Sequence, residues 1–145
     1  KFIRIKKISL LIPAFALMLF WSCSREKFTV PGESSKSVDG TWKIVKALRN
    51  GTDLTSRVDF SHFSITFKDS SYSLDSLVPF AVEKNGTYRL DDPKYPFRMY
   101  IKQQDSSEIP IDIEYPFTDG VRSIIISFSP GCSSNTYQYT LQKIN

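Results

Sequence analysis

Few residues in this 145-residue chain are of the types that carry out chemistry. His62 is the only histidine, and a histidine metal centre or a catalytic triad needs partners that the neighbouring sequence does not supply. The Gly-x-Ser-x-Gly, His-Glu-x-x-His and phosphate-loop patterns of common enzyme sites do not occur. We therefore expect His62 to be an exposed residue at the start of a strand, and we expect no metal ion and no cofactor.

Two acidic pairs deserve comparison with known carboxylate chemistry. Asp112 and Glu114 alternate with isoleucines, which places them on one strand face about 7 Å apart, a separation found in inverting glycosidases. Because their opposite face is apolar, a solvent-facing strand edge is the simpler interpretation. Asp91-Asp92 precedes Pro93 and is typical of a turn, since a calcium loop needs further oxygen ligands at regular spacing. We predict no catalytic residue, and a hydrolase is the least favoured alternative.

The second cysteine, Cys132, lies in the turn-rich segment 130–135. A nucleophilic thiol needs a base or a positive charge nearby, and none is adjacent in the sequence. We interpret Cys132 as a small, partly buried residue before the last strand. A disulfide between Cys23 and Cys132 is an alternative that an oxidising compartment would permit.

The first 22 residues have the organisation of a secretory leader. Four basic residues in Lys1–Lys7 precede an uncharged apolar run, Ile8–Trp21, which is shorter than the roughly 20 residues of a membrane-spanning helix. Ser22 and Cys23 follow directly, and at this point the segment resembles a bacterial lipoprotein signal. The resemblance implies cleavage before Cys23, a lipid on its sulfur and attachment to the outer membrane, in a leaflet that the sequence leaves open. An ordinary secretory leader or an uncleaved anchor is the alternative.

The segment between Cys23 and the first strand reads as a tether. Residues 24–39 mix charges with Pro31-Gly32 and small polar residues, and such a coil would hold a domain on the order of 20 Å from its anchor. The predicted order is thus a signal peptide at 1–22, a lipidated cysteine and flexible tether at 23–39, and a domain at 40–145.

The net charge of +4 belongs to the leader. Four of the 19 Lys and Arg lie in residues 1–22, which leaves 15 basic side chains against 15 acidic ones. A neutral domain lacks the basic patch that nucleic-acid binding requires. We therefore expect no nucleic-acid partner.

From Gly40 onward, Val, Ile, Phe, Tyr and Thr form short alternating runs bounded by turn residues, a pattern that predicts strands. The first run places Trp42, Ile44 and Leu48 on one face, and Asn85-Gly86 predicts a hairpin. The predicted strands span 41–49, 62–68, 71–75, 80–83, 87–91, 97–103, 108–115, 121–129 and 136–143. A sheet of this size without a covering helix must close on itself to bury one face. We predict an all-β fold, an antiparallel up-and-down meander closed into an eight-stranded barrel, with a β-sandwich as the alternative.

Gly40-Thr41-Trp42 opens the first strand directly after the tether, and it resembles the Gly-x-Trp signature of lipocalin-like barrels. The chain is similar to the small lipocalin-like lipoproteins of Bacteroidota, a set without an assigned activity, through GTWKIVKALRNGTDLT, KNGTYRLDDPKYPF and FSPGCSSNTYQYTLQK. The resemblance implies a barrel with an internal cavity, a Trp42 that plugs its closed end, and a small apolar ligand. Classical lipocalins pack a late Arg on this Trp, whereas the last strand here offers Lys143.

An eight-stranded barrel has an interior that is either filled by side chains or just wide enough for one small ligand. The candidate interior residues are Trp42, Ile44, Phe63, Phe67, Tyr88, Tyr100, Tyr137 and Tyr139. The four tyrosine hydroxyls among them would suit an amphipathic ligand. Two functions follow: a membrane-anchored barrel that binds a small apolar or amphipathic molecule, or a non-catalytic interaction module with a filled barrel. Such a module would be an accessory of a membrane complex or an inhibitor of an external enzyme, and the sequence does not identify its protein partner.

Overall fold

Alternation of apolar and polar residues gives this chain ten short strands and no helix within the part that the structure describes. A computed structural model describes residues 32–118 and 120–144. The strands are β1 (Gly40–Arg49), β2 (Thr52–Asp53), β3 (Ser64–Lys68), β4 (Ser71–Asp75), β5 (Gly86–Leu90), β6 (Arg98–Gln103), β7 (Ile109–Glu114), β8 (Phe117–Thr118), β9 (Val121–Phe128) and β10 (Tyr137–Ile144). The predicted leader, the lipidated Cys23 and the first part of the tether lie outside these residues.

Eight of the strands form a closed antiparallel barrel. Their order is β10-β1-β3-β4-β5-β6-β7-β9, and β9 pairs with β10 to close the circle. The two shortest strands are additions, β2 on β1 and β8 on β9. The predicted up-and-down barrel is confirmed, and the alternative β-sandwich is wrong. In the described ranges, no helix has the length and apolar character needed to cross a membrane.

The first and last barrel strands pair along almost their whole length, from Thr41 opposite Ile144 to Arg49 opposite Tyr137. A β-bulge interrupts this ladder between Ile44 and Lys46. Because an extra residue reverses the alternation of side chains, Ala47 rather than Leu48 is fully buried beyond the bulge. The prediction that Leu48 continues the face of Trp42 and Ile44 is therefore wrong.

Alternate side chains of every long strand point into the barrel and form a single core. Its middle layers hold aliphatic side chains that are at most 3% exposed: Ile65, Met99, Ile101, Ile111, Ile113, Ile124, Ile126 and Leu141. Side chains at these positions fill the barrel. The burial of this apolar surface is the main favourable contribution to the stability of the domain.

The chain before β1 covers one end of the barrel, which we call the tether-side end. Val38 is buried, and its carbonyl oxygen accepts a 2.7 Å hydrogen bond from the indole nitrogen of Trp42. The backbone nitrogen of Lys36 donates to the carbonyl oxygen of Pro93 in the β5–β6 connection. Residues 36–38, which the sequence analysis assigns to the tether, thus pack against the barrel.

Two tyrosine hydroxyls hold the same segment in place. Tyr88 donates to the carboxylate of Asp39 at 3.0 Å, and Tyr115 donates to the carbonyl oxygen of Ser37 at 2.6 Å. Burial, together with this carboxylate, raises the pKa of Tyr88 well above its usual value. The hydroxyls are neutral donors at physiological pH, and they close the tether-side end.

The opposite end, which we call the mouth end, is crossed by residues 76–85, the lid segment. The prediction of a strand at 80–83 and a hairpin at Asn85-Gly86 is wrong, because the lid segment forms no strand. Phe80 and Val82 are instead buried against the core, at 7% and 2% exposure. The side chain of Asn85 accepts a 2.9 Å hydrogen bond from the backbone nitrogen of Leu74, so it caps β4 rather than forming a hairpin turn.

Candidate ligand site at the barrel mouth

Six aromatic side chains meet beneath the lid segment, and we call them the mouth cluster. The strands β9 and β10 and the loop before β3 position five of them, and the lid segment supplies the sixth. The members are Phe60, Phe63, Phe80, Phe128, Tyr137 and Tyr139. All are at most 8% exposed. The faces of these rings are therefore packed against one another and against the core, and not presented to solvent.

Phe80 fills the centre of the mouth cluster. Its ring centroid lies 5.6 Å from that of Phe63 and 5.3 Å from that of Phe128. The ring also stacks on Tyr139, with a centroid distance of 6.5 Å and an interplanar angle of 18°. These distances are typical of favourable aromatic pairs. Phe80 is therefore the ring around which the other members of the mouth cluster pack.

The hydroxyl of Tyr139 connects the barrel wall to the lid segment. It donates a 2.6 Å hydrogen bond to the carbonyl oxygen of Pro79. Burial, and secondarily the proximity of Tyr137, raises the pKa of Tyr139 well above its usual value. The group is therefore a neutral hydrogen-bond donor in the mouth under all ordinary conditions.

Side chains, rather than a backbone ladder, hold the lid segment in place. The amide oxygen of Gln103 accepts hydrogen bonds from the backbone nitrogens of Glu83 and Lys84, at 3.1 and 3.0 Å. No backbone-to-backbone hydrogen bond joins residues 76–85 to another residue in the described ranges. Segments with so few backbone bonds open at a low free-energy cost.

A surface cleft adjoins the lid segment. Its volume is about 340 Å³, and it is bounded by Ala81 of the lid segment, by the start of β7 and by the β9–β10 turn. Phe128 belongs both to its wall and to the mouth cluster. The cleft thus lies beside the mouth cluster, with Phe128 between the two, and its size is within the range of small-molecule sites.

The structure distributes the candidate interior residues over both ends of the barrel. Phe63, Tyr137 and Tyr139 belong to the mouth cluster. The other inward-facing candidates lie below it: Ile44 on β1, with Trp42, Phe67 and Tyr88 towards the tether-side end. The rings of Phe67 and Tyr88 meet edge to face at 4.8 Å. Seven of the eight candidates therefore face the interior, and only three of them converge on one site.

Tyr100 is the exception, because it lies on the outer face of the barrel. Its neighbours Met99 and Ile101 are buried, so the alternation of β6 turns Tyr100 outward. The guanidinium carbon of Arg89 lies 3.8 Å from the centre of its ring, and Arg89 in turn forms a bidentate ion pair with Glu108. Tyr100 supports this outer charged network and does not contribute to an interior site.

Tyr72 lies on the inner face of β4, at 2% exposure. Its hydroxyl oxygen is buried and has no hydrogen-bond partner among the described residues. Desolvation raises the pKa of Tyr72 to about 12. An unpaired buried hydroxyl is destabilising, by roughly 1–3 kcal/mol, so this position is one at which stability can be improved.

The residues considered for chemistry remain apart. His62 is exposed, with its Nε2 atom 4.0 Å from Asp59, and Asp112 pairs with Arg98 at 3.2 Å on the outer face. Cys132 is exposed rather than partly buried as predicted, and the hydroxyl of Ser134 lowers the pKa of its thiol. Within residues 32–118 and 120–144, no three His, Cys, Asp or Glu side chains are grouped closely enough to hold a metal ion.

The sequence analysis missed three members of the mouth cluster. Phe128 could have been found, because it continues the alternation of Ile124 and Ile126 along β9. Phe60 and Phe80 lie in irregular segments, where no period predicts the direction of a side chain. Their burial depends on contacts between segments that are distant in the sequence.

Comparison with known proteins places the chain in a family but gives no activity. No curated protein and no solved structure matches the chain. One family model, described as a domain of unknown function (DUF5004), matches residues 22–142. The match begins before the tether and ends within the last barrel strand, β10. The chain therefore belongs to this family of domains of unknown function, DUF5004.

Proposed function

We propose that this protein is a lipid-anchored lipoprotein of the outer membrane whose barrel binds a small apolar or amphipathic molecule at the mouth end. The observation that carries the proposal is the position of Phe80. Its ring fills an aromatic mouth but belongs to a segment that no backbone ladder holds. In this proposal the ligand takes the place of Phe80 when the lid segment opens.

The energetics of the lid segment are compatible with such an exchange. Exposing a phenylalanine side chain costs about 1.5–3 kcal/mol, and each hydrogen bond from Tyr139 or to Gln103 adds on the order of 1 kcal/mol. The open state would then lie a few kcal/mol above the closed state. A ligand that binds only the open state shifts this equilibrium by its own binding free energy.

The groups that the lid segment contributes indicate the chemistry of the ligand. Phe80 supplies a flat apolar ring, and the Pro79 carbonyl supplies an acceptor for the Tyr139 hydroxyl. A ligand that replaces both needs a ring of similar size and a carbonyl, ether or hydroxyl oxygen beside it. A replacement without an acceptor would leave the buried Tyr139 donor unpaired, which costs about 1–3 kcal/mol.

The anchor is the second part of the proposal. An uncharged apolar run ends at Trp21, and Ser22 and Cys23 follow it. The family match begins at Ser22, so residues 1–21 lie outside the matched unit, as a removable leader would. Kinship with the lipocalin-like lipoproteins of Bacteroidota belongs to this proposal and depends on the quoted sequence segments.

The filled interior favours a second candidate, a non-catalytic interaction module. The middle of the barrel is packed with side chains that are almost fully buried. A barrel of this kind could act through its surface, as an accessory of a membrane complex or as an inhibitor of an external enzyme. In both candidates we propose that the domain performs no catalysis, since the side chains of His62 and Asp112 are exposed to solvent and lie apart from each other.

A binding experiment distinguishes the two candidates. The purified mature protein would be titrated with the fluorescent aromatic ketone prodan, which carries a ring system and a carbonyl acceptor. We expect binding to the native protein, and we expect Phe80→Ala to tighten it by roughly tenfold or more because the closed state loses its competing ring. Leu77→Ala, a change at a 72% exposed side chain of the same segment, is the control and should leave the affinity unchanged.

Two further outcomes have defined meanings. Tyr139→Phe removes both the bond to Pro79 in the closed state and the bond to the prodan carbonyl in the bound state, so the affinity for prodan should change little. The same variant should tighten the binding of N-phenylnaphthylamine, which has no carbonyl group and would leave the Tyr139 donor unpaired in the native protein. If prodan binds neither the native protein nor the Phe80→Ala variant, the ligand-binding proposal is wrong and the interaction module is favoured.

The anchor is tested separately by metabolic labelling with a fatty acid. Label should be incorporated into the native protein and not into Cys23→Ser, which should also accumulate with its leader uncleaved. Cys132→Ser is the matched control and should be labelled normally. Labelling that persists in Cys23→Ser would exclude the lipoprotein assignment.

A further inference from the structure

We propose that the tether-side end of the barrel rests on the membrane surface, with exposed aromatic side chains inserted at the lipid interface. This inference rests on the anchor of the proposed function and concerns the end of the barrel opposite to the ligand site. It assigns the membrane a second contact with the protein, in addition to the lipid on Cys23.

The exposed apolar side chains are concentrated at this end. Eight large hydrophobic residues are exposed in the described parts of the chain. Five of them lie at the tether-side end: Tyr95, Phe97, Phe117, Val121 and Ile144, at 43–72% exposure. The three exposed aromatic residues are all in this group, which we call the apolar rim. A group of exposed apolar side chains at one end marks a contact surface.

The members of the apolar rim lie on neighbouring elements of the barrel. Tyr95 and Phe97 belong to the β5–β6 connection, and Phe117 pairs with Arg122 in the short β8–β9 ladder. Ile144 ends β10, which pairs with β9. Because the strands β6, β7, β9 and β10 are consecutive around the barrel, the rim lies along one side of its end.

An arginine lies within the apolar rim. The guanidinium carbon of Arg122 is 4.7 Å from the ring centre of Tyr115 and 4.9 Å from that of Phe117. Aromatic side chains prefer the boundary between headgroups and acyl chains, and an arginine there keeps its charge in the headgroup layer while its stem covers apolar surface. The combination suits a lipid interface better than it suits open solvent.

The course of the chain identifies the membrane as the occupant. Residues 36–39 cross the tether-side end, where Lys36 contacts Pro93 beside Tyr95 and Phe97. Only 12 residues, Ser24–Ser35, separate this crossing from Cys23. An anchor at Cys23 would therefore hold the apolar rim within about 20 Å of the bilayer, and at such an effective concentration weak contacts become populated.

The charges at the tether-side end predict which lipid headgroups it binds. The β5–β6 connection and the first residue of β6 contain Asp91 and Asp92 against Lys94 and Arg98, so they carry no net charge. Arg122 adds one positive charge within the apolar rim, so the contact should depend mainly on apolar insertion and only weakly on anionic headgroups. We expect docking on zwitterionic phosphatidylcholine, with little sensitivity to salt.

The test imposes the anchor chemically, so it does not depend on lipidation in the cell. The mature protein from Cys23 onward, with Cys132→Ser to leave one thiol, is coupled through Cys23 to a maleimide lipid in phosphatidylcholine vesicles with brominated acyl chains. Phe97→Trp reports on the apolar rim. Leu77→Trp, at a side chain with the same 72% exposure at the mouth end, is the matched control.

The Phe97→Trp protein should lose at least about half of its added emission to bromine quenching, because a docked aromatic ring lies at the headgroup–acyl boundary. The Leu77→Trp protein should keep its emission. Equal quenching of the two, or quenching of neither, would overturn the proposal. A blue shift of Phe97→Trp that grows with protein concentration in the absence of vesicles would show that a second copy covers the rim, and the proposal would then be wrong. Failure of the fatty-acid labelling would leave this result unaffected.

Discussion

The hydroxyl of Tyr139 donates a 2.6 Å hydrogen bond to the carbonyl oxygen of Pro79 and so joins the last barrel strand to the lid segment. Through this hydrogen bond, a side chain of the barrel wall stabilises the closed position of the lid segment. Removing its hydroxyl leaves the ring and its packing in place. The bond can therefore be tested without disturbing the fold.

Tyr139→Phe should reduce the free energy of unfolding by about 1 kcal/mol, the usual net value of one hydrogen bond. It should also accelerate hydrogen exchange at the backbone amides of Glu83 and Lys84, which donate to Gln103 from the lid segment. Denaturant titration and amide exchange measure the two effects. Unchanged exchange at these amides would show that the Tyr139 hydroxyl does not restrain the lid segment.

Tyr72→Phe should change the free energy of unfolding in the opposite direction to Tyr139→Phe. The hydroxyl of Tyr72 is buried without a partner, and its removal ends a desolvation cost of roughly 1–3 kcal/mol. We expect a stability equal to or greater than that of the native protein, with the same slope of the denaturant titration. A loss of stability would indicate that a bound water or ligand atom pairs with this hydroxyl.

Stability should decrease at alkaline pH. The pKa of Tyr72 is raised to about 12 in the folded state, whereas a tyrosine in the unfolded chain ionises near pH 10. Between these values the unfolded state has lost a proton that the folded state keeps, so the contribution is complete below pH 10 and lost as the pH rises towards 12. Tyr88 and Tyr139, with raised pKa values, act in the same direction. Tyr72→Phe should show the shallower decline in thermal scans from pH 9 to 12.

Among residues at the tether-side end, Trp42 should be the one whose substitution lowers the free energy of unfolding most. It is 1% exposed and donates to the Val38 carbonyl. Trp42→Ala should cost about 3–5 kcal/mol, whereas Trp42→Phe keeps much of the volume and should cost less. In the mature protein, native emission should be blue-shifted and should move to the red on unfolding. Red emission from the folded protein would contradict the burial of Trp42.

Gly86 is the first residue of β5 and lies close to the backbone of the paired strand β6. A Cβ atom at this position would overlap the backbone carbonyl of Lys102, and a backbone neighbour cannot move aside as a flexible side chain would. Gly86→Ala should therefore lower the free energy of unfolding by about 1–3 kcal/mol. Gly32→Ala, where nothing lies within 4 Å, is the control and should have no effect.

The barrel itself could be predicted because its strands bury one face and expose the other. A period of two along β3, β7 and β10 is a direct consequence of that arrangement, and the absence of a covering helix leaves closure as the way to bury the inner face. Apart from 80–83, each predicted strand overlaps a strand of the structure. The two-residue strands β2 and β8 were not predicted, because a pair of residues shows no period.

The errors occur where a local signal conflicts with tertiary contacts. Phe80 and Val82 alternate as a strand would, yet they are buried because the open mouth of the barrel needs an apolar cover. Asn85-Gly86 has the composition of a hairpin turn, yet the Asn85 side chain caps β4 instead. Tyr100 was placed inside on its aromatic character alone, although its buried neighbours assign it to the outer face. The two members of the mouth cluster that no strand period predicts, Phe60 and Phe80, lie in irregular segments.

The pairing of β1 with β10 has a consequence for how the barrel is made. It joins Thr41 to Ile144. The two barrel strands that are farthest apart in the sequence must therefore pair before the sheet is closed. Contacts between such distant residues slow folding, because the loop entropy is lost before the contacts form. Until the residues of β10 are free to pair, β1 and β9 lack their common neighbour and the barrel stays open. A chain truncated before Tyr137 should therefore expose two unpaired strand edges and aggregate.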